Sequence, residues 1–169
     1  MKTKEKSIEL LNRAIAEELS AVHQYMYFHF YCDDYGYDPI SNIFRRIAII
    51  EMTHVERLAE RIRFLKGEVE MKLSHPVAKI HEVEKMLEKA TEMENTSVNE
   101  YNEWAKVCAE NADSVTKKMF EDLAAEEEKH EDIFDTEKDN LSKFGANYLA
   151  LQSLERSKSE AAGSEPSVD

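Results

Sequence analysis

The feature that most constrains the fold of this chain is a repeated Glu-x-x-His motif. It occurs at Glu51–His54 and again at Glu127–His130, and each copy follows a lone glutamate by 33 residues. The lone glutamates are Glu18 and Glu94, so a single offset of 76 superimposes the two half-sets. Four carboxylates and two imidazoles in matched halves are the ligands with which a helical bundle holds two metal ions in its core.

The candidate ligands lie on apolar stripes with the three-four spacing of bundle helices. Such stripes predict helices over about 5–33, 40–66, 82–110 and 114–142, and a short amphipathic segment over about 145–157. The chain contains only 4 Gly and 3 Pro, which are too few for a turn-rich β architecture. We predict an all-α four-helix bundle with one long crossover and a short C-terminal fifth helix. The stripe of the first helix comprises Ile8, Leu11, Ile15, Glu18, Val22, Tyr25, His29 and Cys32.

The turns predict which candidate ligands face each other. Breaker residues at 33–39 and a turn at 111–113 separate the helices of each hairpin, whereas 67–81, with Pro76, reads as the long crossover. Gly67 is predicted to be the C-cap of the second helix. Residues equidistant from a hairpin turn lie at the same height, and the two turns bisect the intervals 18–51 and 94–127. Each lone glutamate should therefore face its own Glu-x-x-His motif.

Length and charge limit the domain organisation and the partners. A chain of 169 residues suggests one domain, predicted over 1–158, with a polar tail at 159–169 expected to be disordered. The net charge of −13 argues against nucleic acid or an anionic membrane as a partner. Without 18 consecutive apolar residues or a signal-peptide pattern, a cytoplasmic location is expected. Cys32 and Cys108 lack metal or disulfide spacing and are predicted to be free thiols.

The chemistry of the repeated motif favours a metal site. Positions i and i+3 share one helix face, so a carboxylate can bridge two ions while the imidazole binds one of them. Unpaired ionisable side chains on core stripes would each cost several kcal/mol through desolvation. Mixed oxygen and nitrogen ligation with open positions suits redox iron or manganese better than structural zinc. The predicted ligands are Glu18, Glu51, His54, Glu94, Glu127 and His130.

Two tyrosines and one histidine share the predicted core stripes. Tyr25 follows Glu18 by seven positions, and Tyr101 follows Glu94 by seven, so either can hydrogen-bond a ligand carboxylate. For Tyr101 we favour the interpretation of an ordinary core tyrosine. His29, about 16 Å along the helix from Glu18, is interpreted as a core histidine.

The first two predicted helices carry a second apolar face, which predicts contact with another subunit. A two-fold contact would bring each face against its own copy. Met52 would then lie near its symmetry mate, where it either fills the interface, as methionine does well, or ligates a haem iron from both sides. The face comprises Leu19, His23, Met26 and Phe30 of the first helix and Ile49, Met52 and Ala59 of the second.

These strings resemble the bacterioferritin family. The resemblance is carried by Ile-Glu-Met-Thr-His at 50–54, Glu-Glu-Leu at 17–19, His-Gln-Tyr at 23–25 and Glu-Glu-Glu-Lys-His at 126–130, and it covers residues 5 to about 157. It implies a ferritin-like fold, a hollow 24-subunit shell built of two-fold dimers, and a di-iron ferroxidase centre in each subunit. By matching position, the six predicted ligands would bind the di-iron centre, with Glu51 and Glu127 bridging.

The resemblance also implies a haem cofactor. Met52 falls on the family's haem ligand, one from each of two subunits, which implies a b-type or related haem shared between them. Residues 145–157 correspond to the short fifth helix near the four-fold axis. Arg46 and Ile50 stand where many members carry the His and Asp of an extra iron site on the inner surface. The resemblance therefore does not predict the route by which electrons or iron pass from the centre to the mineral.

The function predicted from these features is iron storage with ferroxidase activity. Two adjacent Fe(II) ions supply two electrons to O2 or H2O2, and the Fe(III) product is stored as a mineral. The acidic charge balance would draw cations inward. A ferredoxin-type reductant is a further candidate partner, for iron release.

The main alternative is a rubrerythrin-like di-iron peroxidase without mineral storage. Rubrerythrins add a CxxC iron domain, which this chain lacks, and a further glutamate one turn after the third-helix ligand, where Ser97 stands. An oxygenase or radical-generating subunit would need a longer chain with a substrate cavity. A non-catalytic assembly protein would bind metal without turnover.

Overall fold

A computed structural model describes residues 2–163 of the chain. Within this range the chain forms five α-helices and no β-strand: α1 (Lys2–Asp34), α2 (Asp38–Phe64), α3 (Val83–Glu110), α4 (Ser114–Phe144) and α5 (Ala146–Gly163). α1 pairs with α2 and α3 pairs with α4, while α1–α3 and α2–α4 contacts join the two hairpins. α5 packs against α2 and α4. The predicted all-α four-helix bundle with one long crossover and a fifth helix is confirmed.

The interior of the bundle consists of two apolar clusters with a polar layer between them. On α1, Leu11 and Ile15 belong to one cluster and Tyr25 and Phe28 to the other, with Glu18 between them. Each of the other three long helices likewise contributes residues to both apolar clusters and to the polar layer between them. Apolar packing above and below shields the polar layer from water, so charges within it interact strongly.

His29 is not the core residue that the stripe predicted. It is half-buried, and its Nδ1 lies 2.8 Å from Ser41 Oγ and 3.1 Å from the Ser41 carbonyl oxygen. Phe28, one position earlier, is fully buried in its place. A straight helix with 3.6 residues per turn drifts from a strict seven-residue repeat by about 20° per heptad, so over the three heptads from Ile8 to His29 the stripe moves by about 60° and position 29 leaves the core.

The two hairpin turns occur where the sequence predicted them. Gly36 adopts a left-handed conformation with φ +77°, and Ala112 does so with φ 57°. Asp113 caps α4, because its carboxylate accepts a hydrogen bond of 3.1 Å from the Thr116 amide. With the turns in these positions, each lone glutamate lies at the height of the motif in its own hairpin.

The end of α2 differs from the prediction of a glycine C-cap. Leu65 is the C-cap, and the left-handed residue after it is Lys66, with φ 66°. The amides of Gly67 and Lys66 donate to the carbonyls of Ile62 and Arg63, at 2.9 and 3.1 Å, which is a Schellman motif. Gly67 is required for space, since a Cβ there would lie 2.8–2.9 Å from three side-chain atoms of Ile8.

We therefore expect Gly67→Ala to lower the free energy of unfolding by about 1–3 kcal/mol through overpacking against α1. Chemical denaturation measures this change. Ile8→Ala removes the atoms that collide, so the double variant should be more stable than the sum of the two single changes predicts. Additive effects of the two substitutions would contradict this explanation of the glycine.

Side chains of α1 hold the crossover in place along the outside of the bundle. The Asn12 side chain donates to the Glu68 carbonyl at 2.9 Å and accepts from the Glu70 amide at 2.8 Å. Two turns further, Ser20 Oγ accepts from the Ser74 amide at 2.9 Å. Gln24 repeats the paired arrangement with both backbone groups of Ala78. The crossover therefore runs parallel to α1, which brings the second hairpin into register with the first.

α5 is longer than predicted and runs to Gly163 instead of ending near 157. Its Gln152 side chain accepts a hydrogen bond of 2.9 Å from the Ile40 amide, and Arg156 Nη1 donates to the Asp33 carbonyl at 2.6 Å. The sequence predicted a disordered tail from residue 159, whereas α5 continues through 159–163, where Glu and Ala have high helix propensity and an Arg156–Glu160 ion pair spans one turn. Residues 164–169 of the predicted tail lie outside the described residues.

Candidate metal centre

Six buried ionisable side chains from the four long helices converge in the polar layer. None is more than 5% exposed. They are the six predicted ligands: Glu18 from α1, Glu51 and His54 from α2, Glu94 from α3, and Glu127 and His130 from α4.

The cluster consists of two groups of four residues that share two members. Glu18 and His54 belong to the first group, Glu94 and His130 to the second, and Glu51 and Glu127 to both. Within each group, one potential ligand atom of every residue lies within 4.8 Å of the others. This is the arrangement expected for two adjacent cations with Glu51 and Glu127 between them.

The shared carboxylates direct one oxygen toward each histidine. Glu51 Oε2 lies 2.8 Å from Nδ1 of His54, and Glu51 Oε1 lies 2.8 Å from Nδ1 of His130. The corresponding distances from Glu127 are 3.0 Å for Oε1 and 3.2 Å for Oε2. The two imidazole rings are nearly parallel, with centroids 6.0 Å apart. The centre therefore has an approximate two-fold symmetry that matches the repeat in the sequence.

Several atoms of the centre are buried without a hydrogen bond. They are both carboxylate oxygens of Glu51, Oε1 of Glu127 and Nδ1 of His54. Their separations are those of ion pairs, but the angles are not those of hydrogen bonds, and one ring nitrogen faces three carboxylates. Leaving such groups unsatisfied is costly. Divalent cations would satisfy them together, and the oxygen and nitrogen donors suit iron or manganese.

Burial and repulsion between the carboxylates shape the electrostatics of the centre. The pKa values of Glu18 and Glu94 are raised well above the usual value, chiefly by burial and then by the other carboxylates. Burial also opposes ionisation of Glu127, yet its contacts with the two histidines lower its pKa to about 2. Burial would lower the pKa of His130, but its carboxylate neighbours raise that pKa to about 12. Positive charge in this layer would offset the repulsion between the buried carboxylates.

Two buried tyrosines donate hydrogen bonds to the unshared glutamates, in a crossed arrangement. The Tyr25 hydroxyl on α1 donates to Glu94 on α3, and the Tyr101 hydroxyl on α3 donates to Glu18 on α1. The prediction that Tyr101 is an ordinary core tyrosine is therefore wrong. Each hydroxyl orients a carboxylate of the opposite hairpin and so ties the two half-sets together.

One contact of the centre was not predicted from the sequence. Nε2 of His54 lies 2.9 Å from Oε2 of Glu126, whose other oxygen accepts from Arg57 Nη1 at 2.8 Å. Glu126 is half-buried beside the core stripe and therefore escapes a search for polar residues on the stripe. Its position next to Glu127 was the only signal available.

A cavity of about 270 Å³ lies beside the centre, between α1, α3 and the crossover. Its wall includes Glu18 and Glu94 of the centre, together with Glu17, Glu92 and His75. Carboxylates outnumber the single lysine on this wall, so the cavity is a favourable space for cations next to the buried site. His75 was not predicted, because the crossover has no periodicity that would place its side chains.

The second apolar face lies outside the four-helix core, as predicted. Met52 is 50% exposed and Phe30 61% exposed, and Ile49 is exposed as well. Leu19 and Met26 are only partly buried. The role of Met52 as a haem ligand remains a prediction. Cys32 and Cys108 are buried free thiols, as expected.

Over residues 2–163, none of the helices is both long and apolar enough to cross a membrane.

The fold and the position of the centre place the chain in the class of ferritin-like four-helix proteins. Residues 8–144 match the model of the ferritin-like domain family.

Sequence comparison with individual relatives identifies the family within the ferritin-like class. The chain is 37% identical to a bacterioferritin of Desulfovibrio desulfuricans over 147 residues, 87% of this chain and 82% of the relative. It is 34% identical to a bacterioferritin of Brucella melitensis over 145 residues, 86% and 90% of the two chains. The chain therefore belongs to the bacterioferritin family.

Two solved structures extend the likeness to three dimensions. Bacterioferritin of D. desulfuricans, described with its diiron site in different catalytic states, superimposes with a TM-score of 0.88 at 36% identity, covering 90% of this chain and 89% of its own. Bacterioferritin of Rhodobacter capsulatus, described with a metal-free dinuclear site and a heme iron in a crystallographic special position, gives 0.84 at 31% identity, with coverages of 88% and 93%.

Proposed function

We propose that this protein stores iron and oxidises Fe(II) at the six-residue centre with O2 or H2O2. The observation that carries the proposal is the pair of buried ligand groups that share Glu51 and Glu127. Unsatisfied buried ligand atoms, together with membership of the bacterioferritin family, support the same function. The Fe(III) product would be stored as a mineral inside a hollow shell.

Each residue of the centre has a role that follows from its position. Fe(II) bound at both places would supply the two electrons that O2 or H2O2 accepts. Glu51 and Glu127 would hold two such ions adjacent, and His54 and His130 would each bind one of them. Tyr25 and Tyr101 hold the terminal carboxylates, and the apolar clusters keep water from the layer.

We also propose a haem, b-type or related, held between two subunits by Met52 from each. The exposed thioether lies on the second apolar face, as a ligand to a group outside the bundle must. An apolar cavity of about 500 Å³ lined by Val22, Met26 and Phe30 lies on the α1 part of that face. The heme iron of the R. capsulatus relative supports the proposal.

The assembly proposed for the chain is a 24-subunit shell built of two-fold dimers, in the cytoplasm. A ferredoxin-type protein is proposed as the reductant for iron release. Family membership and the exposed apolar face support the shell, whereas the reductant and the location rest on the sequence resemblance. The domain is proposed to comprise residues 1–158.

Aerobic loading with Fe(II), followed by size exclusion and an iron assay of the protein peak, tests the function. Hundreds of irons per shell-sized particle are expected. About two irons per chain without further uptake would contradict storage and favour the peroxidase alternative. Failure to retain any iron would overturn the metal centre as well.

Met52→Leu is expected to abolish haem binding, because leucine fills a similar volume but offers no sulfur ligand. The measurement is the Soret absorbance per subunit after reconstitution with haem. Met71→Leu makes the same chemical change at an exposed position of the crossover, outside the second apolar face, and should leave this absorbance intact. A Met52→Leu protein with an unaltered haem spectrum would exclude Met52 as the ligand.

A further inference from the structure

The two histidines of the centre have different neighbours, although the ligands around them are nearly symmetric. Nε2 of His54 is hydrogen-bonded to Glu126, and Glu126 is paired with Arg57. The offset of 76 that relates the two half-sets places Ile50 opposite Glu126 and Ile133 opposite Arg57. The half of the centre that contains His130 therefore has two apolar residues where the His54 half has an ion pair.

The contacts around His54 fix both of its ring nitrogens. Glu126 Oε2 lies 2.9 Å from Nε2, while Nδ1 lies 2.8 Å from Glu51 and 3.0 Å from Glu127. Arg57 Nη1 donates to both oxygens of Glu126, at 2.8 and 3.1 Å, so the carboxylate is itself held in place. Among the side chains that the structure describes, 4–162, none is hydrogen-bonded to Nε2 of His130.

These contacts decide which nitrogen of His54 is available as a ligand. Arg57 donates to both oxygens of Glu126, so this carboxylate acts as the acceptor toward His54. Nε2 of His54 must therefore carry a proton and donate it to the hydrogen bond. In the neutral ring the lone pair is then on Nδ1, which faces the shared carboxylates. A carboxylate behind a ligating imidazole also makes the ring a better donor to a metal.

We propose that Glu126, held by Arg57, is a positioning residue that makes the His54 half of the centre the tighter and first-filled of its two metal positions. The His130 half, without such a partner, binds its ion more weakly and second. The inference rests on the proposed function in that it takes the six-residue cluster to bind two ions. It adds an order of filling, which the symmetric repeat alone does not indicate.

Anaerobic titration with Co(II) tests the proposal on the assembled full-length protein. Co(II) reports its own binding through visible absorbance bands and is not oxidised under these conditions. Two ions per chain should bind in two separate steps. His54→Ala should remove the tighter step and His130→Ala the weaker one, which assigns each step to one half of the centre.

Glu126→Gln should weaken the tighter step by about 10–100-fold and leave the weaker step in place, since loss of an outer partner typically costs that much metal affinity. Glu126→Asp, which retains a carboxylate, should recover part of the loss. Glu128→Gln is the matched control, because it removes the same charge from an exposed site on the same helix. In the His54→Ala background, Glu126→Gln should change neither the remaining step nor its spectrum.

The outcomes separate failure of this proposal from failure of the proposed function. Binding of fewer than two Co(II) ions by the unmodified protein would contradict the dinuclear centre itself. Two equal affinities, or a tighter step that Glu126→Gln leaves unchanged, would overturn the role of Glu126 while the centre stands. An equal weakening of both steps, or an effect that persists without His54, would show a general structural role and also overturn the proposal.

Discussion

Alanine in place of Glu127 is expected to reduce the initial rate of Fe(II) oxidation by roughly 100-fold or more. Glu127 belongs to both ligand groups, so its loss damages both metal positions at once. Loss of an outer partner alone lowers affinity or activity by 10–100-fold, and a shared ligand should matter more. Stopped-flow absorbance of the ferric product, at two Fe(II) per chain, measures the effect.

The controls for Glu127→Ala are alanine variants of a neighbouring exposed glutamate and of the two glutamates that belong to only one ligand group. Glu128→Ala removes an exposed carboxylate one position along α4 and should leave the rate unchanged. Glu18→Ala and Glu94→Ala each damage one group only and should retain one bound ion. Circular dichroism and size exclusion establish that each variant folds and assembles. A Glu127→Ala protein with unmodified kinetics would refute the assignment of the centre.

The second large effect should be stabilisation of the protein by metal. Four buried carboxylates and two buried imidazoles leave several atoms without hydrogen bonds, and the unfolded chain does not hold these groups together. Zn(II) at 100 times its dissociation constant adds about 2.7 kcal/mol per site to the free energy of unfolding. For two sites the total is about 5 kcal/mol, which corresponds to a rise in Tm of roughly 10–20 °C for a chain of this size.

Differential scanning calorimetry with and without Zn(II) measures this rise, and Zn(II) serves because it has no redox chemistry. The double variant His54→Ala, His130→Ala should show little of it, since each group then loses its nitrogen ligand. Glu128→Gln should behave like the unmodified protein. An unmodified protein whose Tm is indifferent to Zn(II) would argue that the cluster does not bind divalent ions.

The cluster of six candidate ligands was predictable from the sequence because it depends on two local regularities. Helical periodicity places Glu18 and Glu51 on core stripes, and the positions of the turns set their relative heights. Both regularities operate within a single hairpin, where the chain itself enforces the neighbourhood. The same reasoning identified Met52 as an outward-facing residue beside the buried Glu51.

Features that depend on the docking of one hairpin against the other were not predictable in this way. Tyr101 shares a stripe with Glu94, yet it donates to Glu18, because the hydroxyl extends across the bundle to the opposite helix. Glu126 reaches His54 for a similar reason, since α4 lies beside α2 at that level.

The backbone at the end of α2 also shows which features the sequence predicts and which depend on the tertiary structure. A glycine after a helix suggested a C-cap at Gly67, whereas Lys66 adopts the left-handed conformation and Gly67 makes room for Ile8. The need for that space arises only when the crossover is folded back onto α1. Periodicity and turn position, which are properties of neighbouring residues, thus specified the helices and the six candidate ligands. The orientation of the carboxylates, the partners of the histidines and the cavity beside the centre required the tertiary structure, because each is formed by side chains far apart in the chain.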